Sequence, residues 1–367
     1  MLAFMRMLIG CLLTAILIVA AATGGGFWVY HDVSDPGPLA AAHTVVIPPH
    51  TGISGISDLL ASEGVIRHPL SFKVAAEVTG RGGELKAGEY EFPPAATGLE
   101  VMDLIATGKT VKHKLTIREG LTSAEIVELV RADPLLSGDP GPVPAEGTLL
   151  PETYVYSLND SRAAIIERMQ QAMRDAVAVA WAERRSDLPL TSPEEAVTLA
   201  SIIEKESGHE EERGHIASVF VNRLRLGMRL QSDPTVYYAM SNGGVLRFDR
   251  PLTRADLAID SPYNTYVVQG LPPGPICNPG KAALRDAVRP EHTEDLYFVA
   301  DGSGGHVFAR TLAEQNKNIA LYEHGAVAAP PEPVPLNPPP PASAKQAARG
   351  LPQQHCRASP GHACVVR

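Results

Sequence analysis

From Met7 to Tyr30 no position is charged, whereas the residues that follow fall into short apolar runs separated by polar turns. At 1.5 Å per residue the uncharged run would span roughly 36 Å as a helix, enough to cross a bilayer. Arg6 precedes it and Asp32 and Asp35 follow it, so the positive-inside rule puts the N-terminus in the cytoplasm and the remainder outside. Trp28 and Tyr30 suit the far interface. Leu8-Ile9-Gly10-Cys11 resembles a lipoprotein cleavage box, but too little apolar sequence precedes Cys11 and too much follows it, so an uncleaved anchor over 7–30 is expected.

Three later segments share a pattern of strand, polar turn and amphipathic helix. Val45-Val46-Ile47 leads to Ile56–Leu60, Tyr90-Glu91-Phe92 to Val101–Ile105, and Leu115-Thr116-Ile117 to Ile126–Leu129. The first two also share Pro-Pro followed by Thr-Gly, at Pro48-Pro49 with Thr51-Gly52 and at Pro93-Pro94 with Thr97-Gly98; proline fixes the chain leaving the strand and glycine permits the turn. Two such units predict a small α+β module over 43–112. A helix is predicted from Arg162 to about Arg185, with Ile165, Ile166, Met169, Met173, Val177 and Val179 as packing positions. Ser192-Pro193-Glu194-Glu195 reads as a capping box with proline at the first helical position. Beyond His324, Pro330-Pro331, Pro333, Pro335 and Pro338 to Pro341 leave no apolar period, and 326–367 is expected to be an extended or disordered Pro-rich tail.

With 367 residues, the chain has room for about two domains plus these extensions. A net charge of -9 argues against a nucleic-acid partner. Four cysteines are too few for a disulfide scaffold. Cys356 and Cys364 lie near His355 and His362, where a disulfide, a metal site or unpaired residues in a tail all fit.

The chemistry concentrates after Ser192. That helix carries Val197, Leu199, Ile202 and Ile203 and ends in Glu204-Lys205-Glu206-Ser207-Gly208, with Gly208 as a plausible stop. On a helical wheel the apolar stripe lies roughly 25° from Glu206 and roughly 135° from Glu204. Glu206 thus extends the core-facing stripe, and a carboxyl group that loses hydration there rises toward the pKa of a general acid. The alternative is an ion pair between Glu206 and Arg213, Arg223, Arg225 or Arg229 that ties two helices together.

From here the chain resembles the MltG (YceG-like) endolytic murein transglycosylases. The matching stretches are Leu199–Ser207, Ala217–Leu224, Gly227–Val236, Tyr263–Tyr266, Gly270–Ile276, Asn278-Pro279-Gly280, Tyr297–Ala300 and Gly304-Gly305-His306, in the family's order over about residues 110–323. The resemblance implies that Glu206, second in the Glu-Lys-Glu run, is the catalytic acid and base, and that Ser207 completes a Glu-Ser pair. It implies cleavage of the bond between N-acetylmuramic acid and N-acetylglucosamine, with the muramoyl C6 hydroxyl closing a 1,6-anhydro ring and no water as nucleophile. Asp233, Glu204 or Glu212 as a second catalytic acid would instead signal hydrolysis. Gln231, Ser232 and Asp233 before Pro234, and Tyr263, Asn264 and Tyr266, are read as walls of a glycan groove. Asp233 could equally cap a helix starting at Pro234, and the tyrosines could pack. The Leu271-Pro272-Pro273-Gly274-Pro275 loop is expected to shape the groove, and His306 to be structural. Glu152 stands where the family commonly has aspartate.

The expected fold is α+β: a transmembrane helix at 7–30, a LysM-like module at 43–112, a transglycosylase domain at 113–325 and the tail. No cofactor and no metal are expected. The expected partners are peptidoglycan strands, the inner membrane and peptidoglycan synthases of the elongation or division machinery, with a single pass and the catalytic domain on the periplasmic side. A non-catalytic wall-binding scaffold and a hydrolytic muramidase are the competing classes.

Overall fold

The computed structural model describes residues 2–241, 243 and 250–322. The tail at 326–367, with its proline run, Cys356 and Cys364, lies outside the described residues, as does His324.

Helix α1 (Leu2–Ser34) extends past both ends of the uncharged run, and from Phe4 onward it is long and apolar enough to cross a membrane. Its last turns do not dangle. Val33 is 4% exposed and shares a hydrophobic cluster with Val45, Phe72, Phe92 and Val101, so this core begins upstream of the expected boundary at 43. Gly98 lies against α1, where an added Cβ would come within 3.1 Å of the Val33 Cα. Asp32 accepts a hydrogen bond from Ser71 and lies 2.7 Å from His68 Nδ1.

The N-terminal unit comprises β1 (His43–Ile47), α2 (Ile53–Ser62), α3 (Pro69–Val78), β2 (Gly88–Phe92) and α4 (Gly98–Thr107). β1 and β2 pair antiparallel with Val45 opposite Tyr90, so alternate residues Val45, Ile47, Tyr90 and Phe92 face the helices. The repeated turns work differently from the sequence expectation. The left-handed residues are those after the prolines, His50 (φ 62°) and Ala95 (φ 56°), while Gly52 has φ -73° and precedes α2. Gly98 is needed for its closeness to α1 instead. Thr97 and Glu100 form a reciprocal capping box that starts α4.

β3 (His113–Thr116) and α5 (Ser123–Ala132) carry the third strand-turn-helix pattern, but β3 pairs with β4 (Thr153–Tyr156) rather than with β1 or β2. A separate core forms there from Ile117, Ile126, Val127, Leu149, Ile165 and Met169. Helix α6 (Arg162–Ala182) links it to the next core through Met173. Val179, expected to pack, is 60% exposed because it projects roughly 240° around the helix from Met173.

The largest core gathers α7 (Pro193–Glu206), α8 (Arg213–Arg225), α9 (Asp233–Met240) and α10 (Lys281–Val288), flanked by the antiparallel hairpin β5 (Tyr297–Ala300) and β6 (His306–Ala309) and by α11 (Leu312–Tyr322). Helix α7 packs against α6, α8, α9 and α10, and every residue from Ala196 to Ile203 is buried. The wheel predicted one apolar stripe. Ala200 and the small hydroxyls Thr198 and Ser201 let the remaining faces bury too, with Thr198 Oγ1 donating to the Glu194 carbonyl and Ser201 Oγ to the Thr198 carbonyl.

Candidate active site

Ser192 Oγ accepts from Glu195 N–H at 3.3 Å and Glu195 reaches back to Thr191 N–H at 2.6 Å, so α7 starts where the capping signal put it. At the other end Glu206 is the last helical residue and Ser207, rather than Gly208, is the C-cap; Ser207 Oγ donates to the Ile203 carbonyl at 2.8 Å. The two glutamates of the Glu-Lys-Glu run then part. Glu204 has a side chain 7% exposed, lies 4.0 Å from Arg213 Nη2 and accepts from Gly280 N–H at 2.9 Å. The ion pair weighed for Glu206 thus belongs to Glu204. Among the described residues no arginine comes within salt-bridge distance of Glu206; its partner is Ser232, whose Oγ donates to Oε1 at 2.6 Å.

Glu206 opens onto a cavity of about 350 Å³ whose polar lining is Arg223, Gln231, Asp233, Tyr266, His306 and Gln315, with Leu230, Phe298, Val299, Ala300 and Ile319 as apolar wall. Burial pushes the Glu206 carboxyl up to about 7; the Ser232 hydroxyl pulls it down, the Asp233 charge pushes it further up and the Arg223 guanidinium pulls it down. A carboxyl group in this range holds a proton near neutral pH and can also release it.

The loop before α9 positions the wall. Gln231 adopts φ 53°, a left-handed conformation that a side-chain-bearing residue rarely takes, and is held there by its N–H to the Thr265 carbonyl at 3.1 Å. Ser232 is 1% exposed and its N–H donates to Thr265 Oγ1 at 2.9 Å. Asp233 does not cap the helix. It occupies the first turn of α9 and accepts from Tyr266 Oη at 2.5 Å. Arg223 is 7% exposed; Nε donates to the Leu296 carbonyl at 2.6 Å and Nη1 to the Leu230 carbonyl at 2.8 Å.

The structure therefore gathers Glu206, Gln231, Ser232, Asp233 and Tyr266, and leaves three expected residues aside. Asn264 is fully buried and its Nδ2 donates to the Leu257 and Ile259 carbonyls, which shapes the loop and leaves no amide for a sugar. The Tyr263 ring packs 4.9 Å from Tyr238 against the large core, away from the cavity lining. Ser207 spends its hydroxyl on the helix end. The proline loop sits elsewhere as well: Pro275 lines a different groove with Glu146 and Val197, and Gly147 (φ 75°) has no room for a Cβ against it.

His306 was expected to be purely structural. Its ring Nδ1 is 2.8 Å from Glu212 Oε2 and its N–H donates to Glu212 Oε1 at 3.0 Å, yet it also lines the cavity. Burial alone would raise Glu212, but the His306 hydrogen bonds hold its carboxyl below the ordinary value, which ill suits it to deliver a proton. Arg223, Phe298, Val299, Ala300 and Gln315 also line the cavity, although no sequence signal placed them there. All but Gln315 stand in the family-like blocks; a buried arginine spending its donors on carbonyls leaves no periodic signal. Glu152 is peripheral and pairs with Lys281 Nζ at 2.7 Å.

A second polar hub holds the site's supports together. Asn278 is fully buried: Oδ1 accepts from Leu149 N–H at 2.8 Å, and Nδ2 donates to the Leu121 carbonyl, Ser123 Oγ and Glu146 Oε1. It ties the loop before α10 to the start of α5, while the next glycine, Gly280, has no room for a Cβ beside Glu119. Burial raises Glu146 to about 7 despite the Ser123 hydrogen bonds.

A sequence profile described as the YceG-like family matches residues 45–321. The chain belongs to this family. A Bacillus subtilis (strain 168) protein named endolytic murein transglycosylase is 31% identical over 333 residues, covering 82% of this chain and 90% of its own length. A protein of the same name from Streptococcus pneumoniae (strain R6) is 27% identical over 355 residues, covering 84% of this chain and 64% of its own. A 2.6 Å crystal structure of a YceG-like protein from Listeria monocytogenes is 34% identical and covers 75% of this chain and 98% of that one, with a TM-score of 0.45.

Proposed function

We propose that this YceG-like protein is an endolytic murein transglycosylase, a lyase that cuts nascent glycan strands between N-acetylmuramic acid and N-acetylglucosamine and leaves 1,6-anhydro ends. The observation that carries the reading is Glu206: a carboxyl group raised to about 7 at the wall of an open cavity, in a family whose named relatives are endolytic murein transglycosylases. Glu206 gives its proton to the glycosidic oxygen, and the C1–O electron pair leaves with that oxygen. The C6 hydroxyl then attacks C1, and its proton returns to the Glu206 carboxylate. Proton count and bond count close without water, so one acid and base serves both halves. Ser232 aims the carboxyl, and Gln231, Asp233 and Tyr266 line the groove that takes the sugars.

In this reading α1 is a single-pass anchor in the inner membrane, 113–325 carries the cleavage on the periplasmic side, the LysM-like module at 43–112 contacts glycan, and synthases of the elongation or division machinery are the neighbours. The support is the exposed apolar length of α1 together with the packing of its last turns into the N-terminal core. One observation favours a second reading: Asp233 lines the same cavity as Glu206, and two carboxyl groups flanking a bond are the equipment of a hydrolase.

The deciding experiment is mass spectrometry of the products from purified sacculi, with Glu206→Gln as the blank. Anhydro ends from the wild type and none from the variant are expected. Reducing ends make the protein a muramidase, and equal inertness of both proteins makes it a wall-binding scaffold.

A further inference from the structure

We infer that Asp233 is a second catalytic residue of this reaction, the fixed negative charge facing the sugar cation as the glycosidic bond breaks, and that Tyr266 positions it. The inference rests on the reading of Glu206 as the proton donor. Three features of Asp233 point to it. It is the first residue of α9, where the partial positive charge of the helix N-terminus suits an anion. It makes no capping hydrogen bond, since Ser232 occupies the N-cap position and gives its hydroxyl to Glu206. Its Oδ1 is held by Tyr266 Oη at 2.5 Å, while Oδ2 has no partner among the described residues and the side chain lines the cavity. The bond to Tyr266 uses one carboxylate oxygen and leaves the other without a partner among the described residues.

The chemistry supplies the role. When Glu206 protonates the leaving oxygen and the C1–O bond breaks, positive charge develops at C1 and the ring oxygen before the C6 hydroxyl closes on C1. Asp233 opposes that charge without forming a bond or moving a proton. In the free protein, water in the open cavity screens it; a bound strand displaces that water and strengthens the attraction where the charge appears. Tyr266, whose phenol is pushed up by burial and by Asp233, remains a donor throughout and holds the carboxylate by Oδ1 at the cavity wall. The Asp233 and Arg223 charges act on Glu206, Ser232 is its hydrogen-bond donor, and Tyr266 and His306 are the further titratable groups that face the same cavity.

The test uses the full chain in detergent acting on purified glycan strands. Asp233→Asn should lower kcat about 10²–10³-fold while KM stays within roughly threefold, and the remaining products should still carry anhydro ends. Tyr266→Phe should cost about tenfold, and Asp233→Glu should recover much of the loss. Because the Asp233 charge pushes Glu206 upward, the alkaline limb of the residual activity of Asp233→Asn should move to lower pH, which a packing defect would not produce. If Asp233→Asn does not fold, Tyr266→Phe decides by its own kcat loss, with Asp233→Glu as the charge-retaining control that should stay active. Rates within threefold of wild type for Asp233→Asn or Tyr266→Phe, or a loss confined to KM, overturn the inference and leave the cleavage reading standing. Reducing ends from the wild type overturn both, because Asp233 would then be activating water.

Discussion

Replacing Glu206 by glutamine should make the protein inactive and, at neutral pH, more stable. The carboxyl ionises near 7 in the folded chain and near its ordinary 4.5 once unfolded. Below 4.5 both states hold the proton and the group contributes no penalty. Between 4.5 and about 7 the unfolded chain gives up its proton while the folded one keeps it, so stability falls as pH rises; above 7 the loss is complete. A gap of that size is worth on the order of 3 kcal/mol. Glutamine does not titrate, and its carbonyl can still accept from Ser232, so the variant escapes the loss. The expected result is a Glu206→Gln protein more stable than wild type by on the order of 3 kcal/mol at pH 8, with the difference shrinking toward zero at pH 4. Thermal and urea unfolding of the detergent-solubilised chain at pH 4, 6 and 8 measures it. Glu146 also sits near 7, but it is present in both proteins and cancels in the difference. A variant less stable than wild type at pH 8, or a difference that does not change with pH, would show that Glu206 is not strained by burial.

Ser232→Ala removes the hydroxyl that holds Glu206 down, so the alkaline limb of the activity profile should move to higher pH, at a stability cost of about 1 kcal/mol. Asn278→Ala strips partners from Leu149 N–H, Ser123 and Glu146 at once and should destabilise by about 2–4 kcal/mol in urea titrations, whereas a change under 1 kcal/mol would mean the hub is redundant. Gly98→Val would bring a Cβ within 3.1 Å of Val33 and should loosen α1 from the N-terminal unit, read as faster proteolysis near residue 35, while Gly83→Ala, with open space around it, should leave proteolysis unchanged. Truncation after His324 should leave the melting temperature nearly unchanged, since a proline-rich stretch without apolar period offers little to pack.

What could be read along the chain was whatever depends on near neighbours in sequence. The uncharged run announced α1, the strand-turn-helix blocks announced β1, α2, β2, α4, β3 and α5 but not α3, and Ser192-Pro193-Glu194-Glu195 placed the start of α7, because caps, turns and helical period are local. The inward direction of Glu206 was legible for the same reason: its angle to Leu199, Ile202 and Ile203 is a property of one helix.

What the tertiary structure alone decided was which local pieces meet. No local rule says that the third strand pairs with Thr153–Tyr156, that His50 and Ala95 rather than the glycines take the left-handed turns, or that the last turns of α1 belong to a core. Tyr263 and Asn264 looked like sugar-binding groups because of their chemistry, yet Tyr263 packs and Asn264 folds its own loop; Asp233 and Tyr266, 33 residues apart, meet at 2.5 Å beside Glu206. Hydration loss, which raises the Glu206 carboxyl, depends on α8, α9 and the β5–β6 hairpin closing around it. A sequence shows that a carboxyl group faces inward, and only the assembled walls determine how strongly it holds its proton and which side chains share its cavity.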